Sequence, residues 1–235
     1  MRGLGAAGRG VDAWLADLGA DVRSLSPARY ADDLTEAERR RAAGYLDDQD
    51  ARLFLRSRLA VRALLADRLG EAPGAVHLAT TASGKPYLPD HPDVRVSWSR
   101  SEDLLLLGIT EEGPIGVDLE RLRVIPSAAH VLASVYPAVP PSAEQSGPDL
   151  FFYAWTLLEA AVKATGRGLA EGAGDVTLTF PAAGGAALLG IAGSGAEPWS
   201  ASTDLLTGRS PDDRLMASFV SRTTRPGVRL HRWPA

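Results

Sequence analysis

Cysteine is missing altogether from the 235 residues of this chain. That excludes disulfides, thiolate nucleophiles and cysteine-built zinc sites, and leaves packing as the source of stability. No run of apolar residues approaches the roughly 20 needed to cross a bilayer. The opening "MRGLGAAGRG" lacks the continuous apolar segment of a secretory signal, so a cytoplasmic setting without a membrane partner is expected. Excess charge is also lacking: the net value is −4, which is not the basic balance of a general nucleic-acid binder. His77, His91, His130 and His231 are scattered without metal-ligand spacing, and neither a GxSxG elbow nor a Walker loop occurs. "GLGAAG" matches a dinucleotide-type pattern at Gly3, Gly5 and Gly8, but no strand precedes it, and it reads as a tail.

What is present suits a soluble globular protein of one large or two small domains, with 45% hydrophobic and 23% charged residues. Charge is uneven along the chain. Arg39, Arg40, Arg41, Arg52, Arg56, Arg58 and Arg62 face only Asp47, Asp48 and Asp50, which makes a basic N-terminal region in an acidic protein. "LTEAERRRAAGYL" opens with Thr35 as N-cap and Glu38 three residues on, a capping box that predicts a helix. "DARLFLRSRLAVRALLADRLG" spaces Leu55, Leu59, Leu64 and Leu65 among arginines and ends in Gly70; it predicts a second, longer amphipathic helix whose arginines form the solvated face.

"GKPYLPDHPDVRVSWS" is broken by three prolines and predicts a turn, a short extended piece and a strand near residues 94–98. "DLLLLGIT" and "EEGPIGVDLERL" read as two strands joined by a Gly-Pro turn and paired antiparallel. The Pro-rich "YPAVPPSAEQSGPD" reads as a loop before a helix over "WTLLEAAVKATG", and "DVTLTF" and "DDRLMASFVSR" as later strands. The order of elements is α+β, with two halves meeting near residue 113: 1–113 and 114–235.

Two short segments carry candidate chemistry. In "PIGVDLE", strand alternation sends Asp118 and Glu120 to one side, with Gly116 leaving room there, while Ile115, Val117 and Leu119 face the other. Neighbouring like charges are unfavourable unless solvated or bridged by a cation, and oxygen ligands suit Mg²⁺. A strand end whose acids simply face water is the commoner meaning of the same letters. On the helix, four-residue steps put Trp155, Glu159 and Lys163 in one row. A surface ion pair beside a core aromatic has the same spacing; if the helix packs across the strand, Glu159 becomes a third oxygen donor and Lys163 lies beside whatever the ion holds. Lys85 in a turn and Ser97, Ser99, Arg100 and Ser101 at a strand end add donors matched to phosphate oxygens.

Taken in order, "LTEAERRRAAGYL", "RSRLAVRALL", "GKPYLPD", "VSWSRS", "PIGVDLE", "FFYAWTLLEAAVKATGRGL" and the final "RLMASFV" resemble the 4′-phosphopantetheinyl transferase superfamily, in its larger class acting on peptide and polyketide synthases. The resemblance implies two similar α+β halves in a pseudo-twofold arrangement, with the active site in the cleft between them. It implies Mg²⁺-dependent transfer of the phosphopantetheine arm of coenzyme A to a serine of an acyl or peptidyl carrier protein, releasing adenosine 3′,5′-bisphosphate. On that basis Asp118, Glu120 and Glu159 are the metal acids, and Asp118, Glu159 and Lys163 the catalytic group. Arg41, Arg52, Lys85, Pro86, Ser99, Arg100 and Lys163 would contact coenzyme A. The apolar edge of the Pro-rich loop around Val135, Tyr136 and Val139 is a candidate for docking the carrier helix, and an ordinary packed loop has the same composition. A monomer is expected.

Three positions depart from the family pattern. Arg100 stands where a histidine is usual, Leu158 where a lysine usually precedes the helix glutamate, and the stretch after "DLE" lacks the usual aromatic-rich segment with its acid, Pro140 falling near that place and Glu144 being a loose substitute. The spacing of Phe151, Trp155, Leu158 and Val162 sends Leu158 inward or toward the cleft wall. These departures keep open a second reading, a non-catalytic homologue that binds coenzyme A or a carrier protein in a regulatory role.

Overall fold

The computed structural model describes residues 10–20, 25–128, 130–131, 147–179, 188–193, 199–222 and 227–234. The predicted capping box is formed. Thr35 Oγ accepts from the backbone N–H of Glu38 at 3.2 Å, and Glu38 Oε2 accepts from that of Thr35 at 2.8 Å, which starts α1 (Glu36–Ala43). Thr35→Ala is expected to destabilise the chain by about 1 kcal/mol, read as a lowered urea midpoint, because a first-turn N–H loses its partner. Asp47 caps α2 (Asp48–Leu69) by accepting from Gln49 and Asp50, and Gly70 ends it at φ 73°, a left-handed conformation that suits glycine.

The arginines of α2 are not all on its solvated face. Arg62 is 3% exposed and donates to Glu38 Oε1 at 2.9 Å, so one carboxylate serves both the α1 cap and a buried guanidinium. A helical-spacing pattern marks Arg62 as polar, and it cannot report that α1 folds back to supply its counter-charge.

The strands are β1 (Val11–Asp17), β2 (Ala79–Thr80), β3 (Pro86–Tyr87), β4 (Arg95–Ser101), β5 (Leu104–Thr110), β6 (Ile115–Arg121), β7 (Val176–Thr179), β8 (Leu188–Ile191), β9 (Ser200–Thr207), β10 (Arg214–Ser221) and β11 (Val228–Trp233). One sheet has the order β11-β1-β5-β4, with β11 parallel to β1 and the other pairs antiparallel; a second has the order β6-β10-β9, all antiparallel. β2 pairs with β3 and β7 with β8. The longest later helix is α3 (Gly147–Thr165), followed by the short α4 (Leu169–Gly172).

The expected hairpin of β5 with β6 does not form. Both edges of β5 are taken, by β1 and β4, and β6 pairs with β10 in the other sheet. The cause is two-sided burial. Leu105, Leu107 and Ile109 pack with α2, while Leu104 and Leu106 pack with Ile115, Val117 and Leu119 of β6 and Leu215, Ala217 and Phe219 of β10. The turn at Gly113 and Pro114 therefore carries the chain from one sheet to the other. Met216 and Val220, on the far side of β10, pack with Leu158, Ala161 and Val162 of α3. The layers run α2, first sheet, second sheet, α3, an α+β architecture. The last strand, β11, returns to the first sheet. No helix among the described residues is long and apolar enough to cross a membrane.

Candidate active site

The site begins with a missing side chain. A Cβ on Gly116 of β6 would lie 1.9 Å from the carbonyl oxygen of Ala160 and 2.4 Å from the nitrogen of Ala164, so the backbone of α3 fills the space beside the strand. The room expected there for a ligand is taken by the helix, and the same close approach brings Glu159 and Lys163 over Asp118. Alternation along β6 is as expected: Ile115, Val117 and Leu119 enter the core between the sheets, and Asp118 and Glu120 face the α3 side. Leu158 is fully buried in the α3 core, the inward of the two directions that its spacing allows.

Lys163 Nζ donates to Asp118 Oδ1 at 2.6 Å and to Ser99 Oγ at 3.0 Å, and Ser99 Oγ donates to the same Asp118 oxygen at 2.6 Å. Asp118 is 4% exposed, and its second oxygen, Oδ2, is buried without a hydrogen-bond partner. Ser99 is one of three serines along β4 that join the two sheets. Ser97 Oγ accepts from Val117 N–H at 3.1 Å and Ser101 Oγ accepts from Arg121 N–H at 2.9 Å, so these hydroxyls bridge strands where backbone pairing is absent. Glu120 accepts from Ser101 and Arg123.

Burial raises the Glu159 carboxyl above its usual value; Lys163 opposes the shift, and Asp118 and Glu120 add to it. Glu120 is likewise raised by burial, with Arg123 opposing and Asp118 adding. Folding thus takes up protons in the window above the ordinary 4.5 of an unfolded glutamate, and stability contributed by these groups falls as pH rises through that window. Glu159→Gln is accordingly expected to have a higher urea midpoint than the natural chain at pH 7, with the gap closing by pH 4. A lower midpoint at pH 7 would mean that the attraction of Lys163 outweighs burial and the two neighbouring acids.

Beside these residues lies a cleft of about 320 Å³ lined by Arg41, Lys85, Pro86, Trp98, Glu159 and Lys163, among others. A second compartment of about 260 Å³ shares Arg41, Arg58, Thr80 and Trp98 with it. Arg58, absent from the set expected from sequence, stacks on Phe54 and Trp98 with its guanidinium carbon 4.9 Å from each ring centre. Burial depresses it to about 10, Glu38 opposing and the charges of Arg41 and Arg62 adding. Its signal in the sequence was only one arginine among several on α2.

Of the other expected contacts, Arg52 is exposed on α2 and Arg100 donates to the Glu102 carbonyl; neither lines the cleft. Ser99 reaches it only through Lys163. The Lys85 ammonium donates to backbone carbonyls of Ile115, Lys163 and Ala164. Val135, Tyr136, Val139, Pro140 and Glu144 lie outside the described residues, as do Gly3, Gly5 and Gly8.

Among the described residues no three acidic, histidine or cysteine side chains converge as a ready metal site. The donor chemistry of Asp118, Glu120 and Glu159 nevertheless fits a hard cation: three neighbouring carboxylates, two of which, Glu120 and Glu159, are raised by burial and by adjacent acids, and an unpartnered buried oxygen on Asp118. Lys163 supplies positive charge to the other Asp118 oxygen.

A family model for the 4′-phosphopantetheinyl transferase superfamily matches residues 114–217, the stretch holding Asp118, Glu120, Glu159 and Lys163. The chain is 33% identical over 164 residues to slr0495 of Synechocystis sp., provisionally named a 4′-phosphopantetheinyl transferase, with 66% of this chain and 65% of that one covered. It is 30% identical over 158 residues to the 4′-phosphopantetheinyl transferase HetI of Nostoc sp., covering 64% and 65%. Over these stretches the chain is similar to the 4′-phosphopantetheinyl transferase superfamily. Its matches span just under two thirds of the length of these relatives.

Proposed function

We propose that this chain transfers the 4′-phosphopantetheine group of coenzyme A to a serine hydroxyl of an acyl or peptidyl carrier protein, releasing adenosine 3′,5′-bisphosphate. The observation that supports it most is the meeting of Lys163, Asp118 and Ser99, with Glu159 one turn away, beside a cleft that also holds Arg41 and Arg58. Lys163 supplies positive charge for a diphosphate oxygen. Arg41 and Arg58 hold a further phosphate, and Trp98 offers a flat apolar wall. Glu159 takes the proton of the attacking serine as the new phosphorus–oxygen bond forms and the bond to the departing nucleotide breaks. Mg²⁺ held by Asp118, Glu120 and Glu159 would offset charge on the diphosphate and on the leaving group. The proposed setting is a cytoplasmic monomer acting on carrier domains of peptide or polyketide synthases, with 1–113 and 114–235 as two related halves around the cleft.

Incubation with coenzyme A, Mg²⁺ and a panel of apo carrier proteins tests this by mass spectrometry. A phosphopantetheine adduct on one serine is expected; no adduct on any carrier, beside a transferase that modifies the same panel, would overturn it. The second reading, a binder of coenzyme A without turnover, draws on Lys163 already occupying Asp118 and on Leu158 lying wholly inside the core. Tight coenzyme A binding by natural chain and Glu159→Gln alike, with no difference in transfer between them, would favour it.

A further inference from the structure

The chain has two lysines, Lys85 and Lys163, among 25 basic residues, and both meet at this cleft. Everywhere else it uses arginine. The choice has a geometric meaning at Lys85. Its ammonium has three donors, and three backbone carbonyls receive them: Ile115 at the start of β6 at 3.3 Å, and Lys163 at 2.8 Å and Ala164 in the last turn of α3. A compact tetrahedral donor can serve three oxygens around one point, whereas a planar guanidinium spreads its donors in a fork. The oxygens on α3 are among the carbonyls that a helix end leaves without an intrahelical partner, and a cation there also complements the negative end of the helix dipole.

The surroundings hold the lysine in place. The turn from Thr81 to Lys85 is closed by Thr81 N–H to the Lys85 carbonyl at 2.9 Å, by Lys85 N–H to Thr81 Oγ at 3.1 Å, and by Gly84 at φ 84°. The Lys85 stem then passes over Gly166, where an added Cβ would stand 2.8 Å from Lys85 Cδ and where φ is 74°. One side chain thereby ties the β2–β3 turn to the end of α3 and to β6. The carbonyl it grips on α3 belongs to Lys163, whose own ammonium reaches Asp118.

We infer that Lys85 is a positioning residue: it fixes the last turn of α3 on β6 so that Lys163 meets Asp118, and it does not itself contact coenzyme A. Its consequence for turnover rests on the transferase reading above; the pin itself does not. Burial, with the Arg95 charge adding, brings the ammonium down to about 8, so it stays a cation and a threefold donor below that pH.

The pair of lysines makes the test simple. Full-length protein labelled with ¹⁵N-lysine gives two side-chain ammonium signals, assigned with Lys85→Met and Lys163→Met. The Lys85 signal is expected to exchange its protons slowly and to stay put on saturation with coenzyme A, while the Lys163 signal moves. Comparable movement of both would overturn the inference by placing Lys85 on the ligand. Lys85→Met is expected to shift the Lys163 signal without any ligand, and to lower kcat about 10²-fold with KM for coenzyme A changed less than about twofold, since a small misplacement of a reacting group costs about that much. Lys85→Arg is expected not to restore kcat. A tenfold rise in KM at unchanged kcat, or an unmoved Lys163 signal, would overturn the inference. Should the natural chain bind no coenzyme A and transfer nothing, the transferase reading falls, and proton exchange at Lys85 with the Lys163 shift in Lys85→Met still decides the pin. Should Lys85→Met fail to fold, Lys163→Met alone assigns both signals in the natural chain, and the coenzyme A titration decides.

Discussion

Asp118→Asn is expected to leave a folded chain that transfers phosphopantetheine at least about 10³-fold more slowly, a loss at the upper end of that seen when one electrostatic contact to a reacting phosphate or oxyanion is removed. The amide keeps the shape of the carboxylate in a site that is 4% exposed, so packing survives. What changes is charge. Lys163 loses its acceptor anion at 2.6 Å, and the Oδ2 position can no longer offer a negative oxygen to a cation. Removal of that charge also relieves Glu120 and Glu159, both of which are held up partly by Asp118, so their carboxyls move back toward ordinary values. Initial rates from mass spectrometry of the carrier, set beside a thermal melt, check both parts. Transfer within tenfold of the natural chain would remove Asp118 from the mechanism.

Gly116→Ala is expected to cost about 3 kcal/mol and to abolish transfer, although it adds only a single methyl group and no charge. The added carbon meets backbone, an oxygen at 1.9 Å and a nitrogen at 2.4 Å, and backbone cannot turn aside as a flexible side chain can. Overpacking of this kind sits at the severe end of the range for inserted methyls. Relief requires α3 to lift from β6, which separates Lys163 from Asp118 and strains the grip of Lys85 on the helix end. Urea unfolding and the transfer assay read the two effects. A midpoint equal to that of the natural chain would mean that α3 does not cross β6 this closely.

Much of this region was legible in the sequence because the signals are local. Thr35 with Glu38, Gly70 after α2, the alternation of Ile115 to Glu120 and the inward spacing of Leu158 each depend on a few neighbouring residues. The same letters misplaced β6 beside β5, because a strand buried on both faces carries no mark of which strand it will pair with. β1 and β11 went unread in the sequence: β1 lies beside the stretch read as a tail, and β11 alternates with Arg229, His231 and Arg232, so that each is recognisable only by its partner. At the site, the row of Glu159 and Lys163 was visible, whereas Arg58 and the Lys85 carbonyl cage were not. The second ring on Arg58, Trp98, and the helix end under Lys85 are supplied by residues tens of positions away. Expected contacts at Arg52 and Arg100 came from position in a motif, and position does not say which face of a helix or strand a side chain takes.

The parallel pairing of β11 with β1 has a bearing on how the protein is made. β1 leaves the ribosome well before β11, the partner for its outer edge. Until that segment emerges, the growing polypeptide exposes a hydrogen-bonding edge on which another nascent copy could add a strand. Slow synthesis would prolong that exposure, and a chaperone bound at this edge would shorten the hazard without touching the finished protein's cleft.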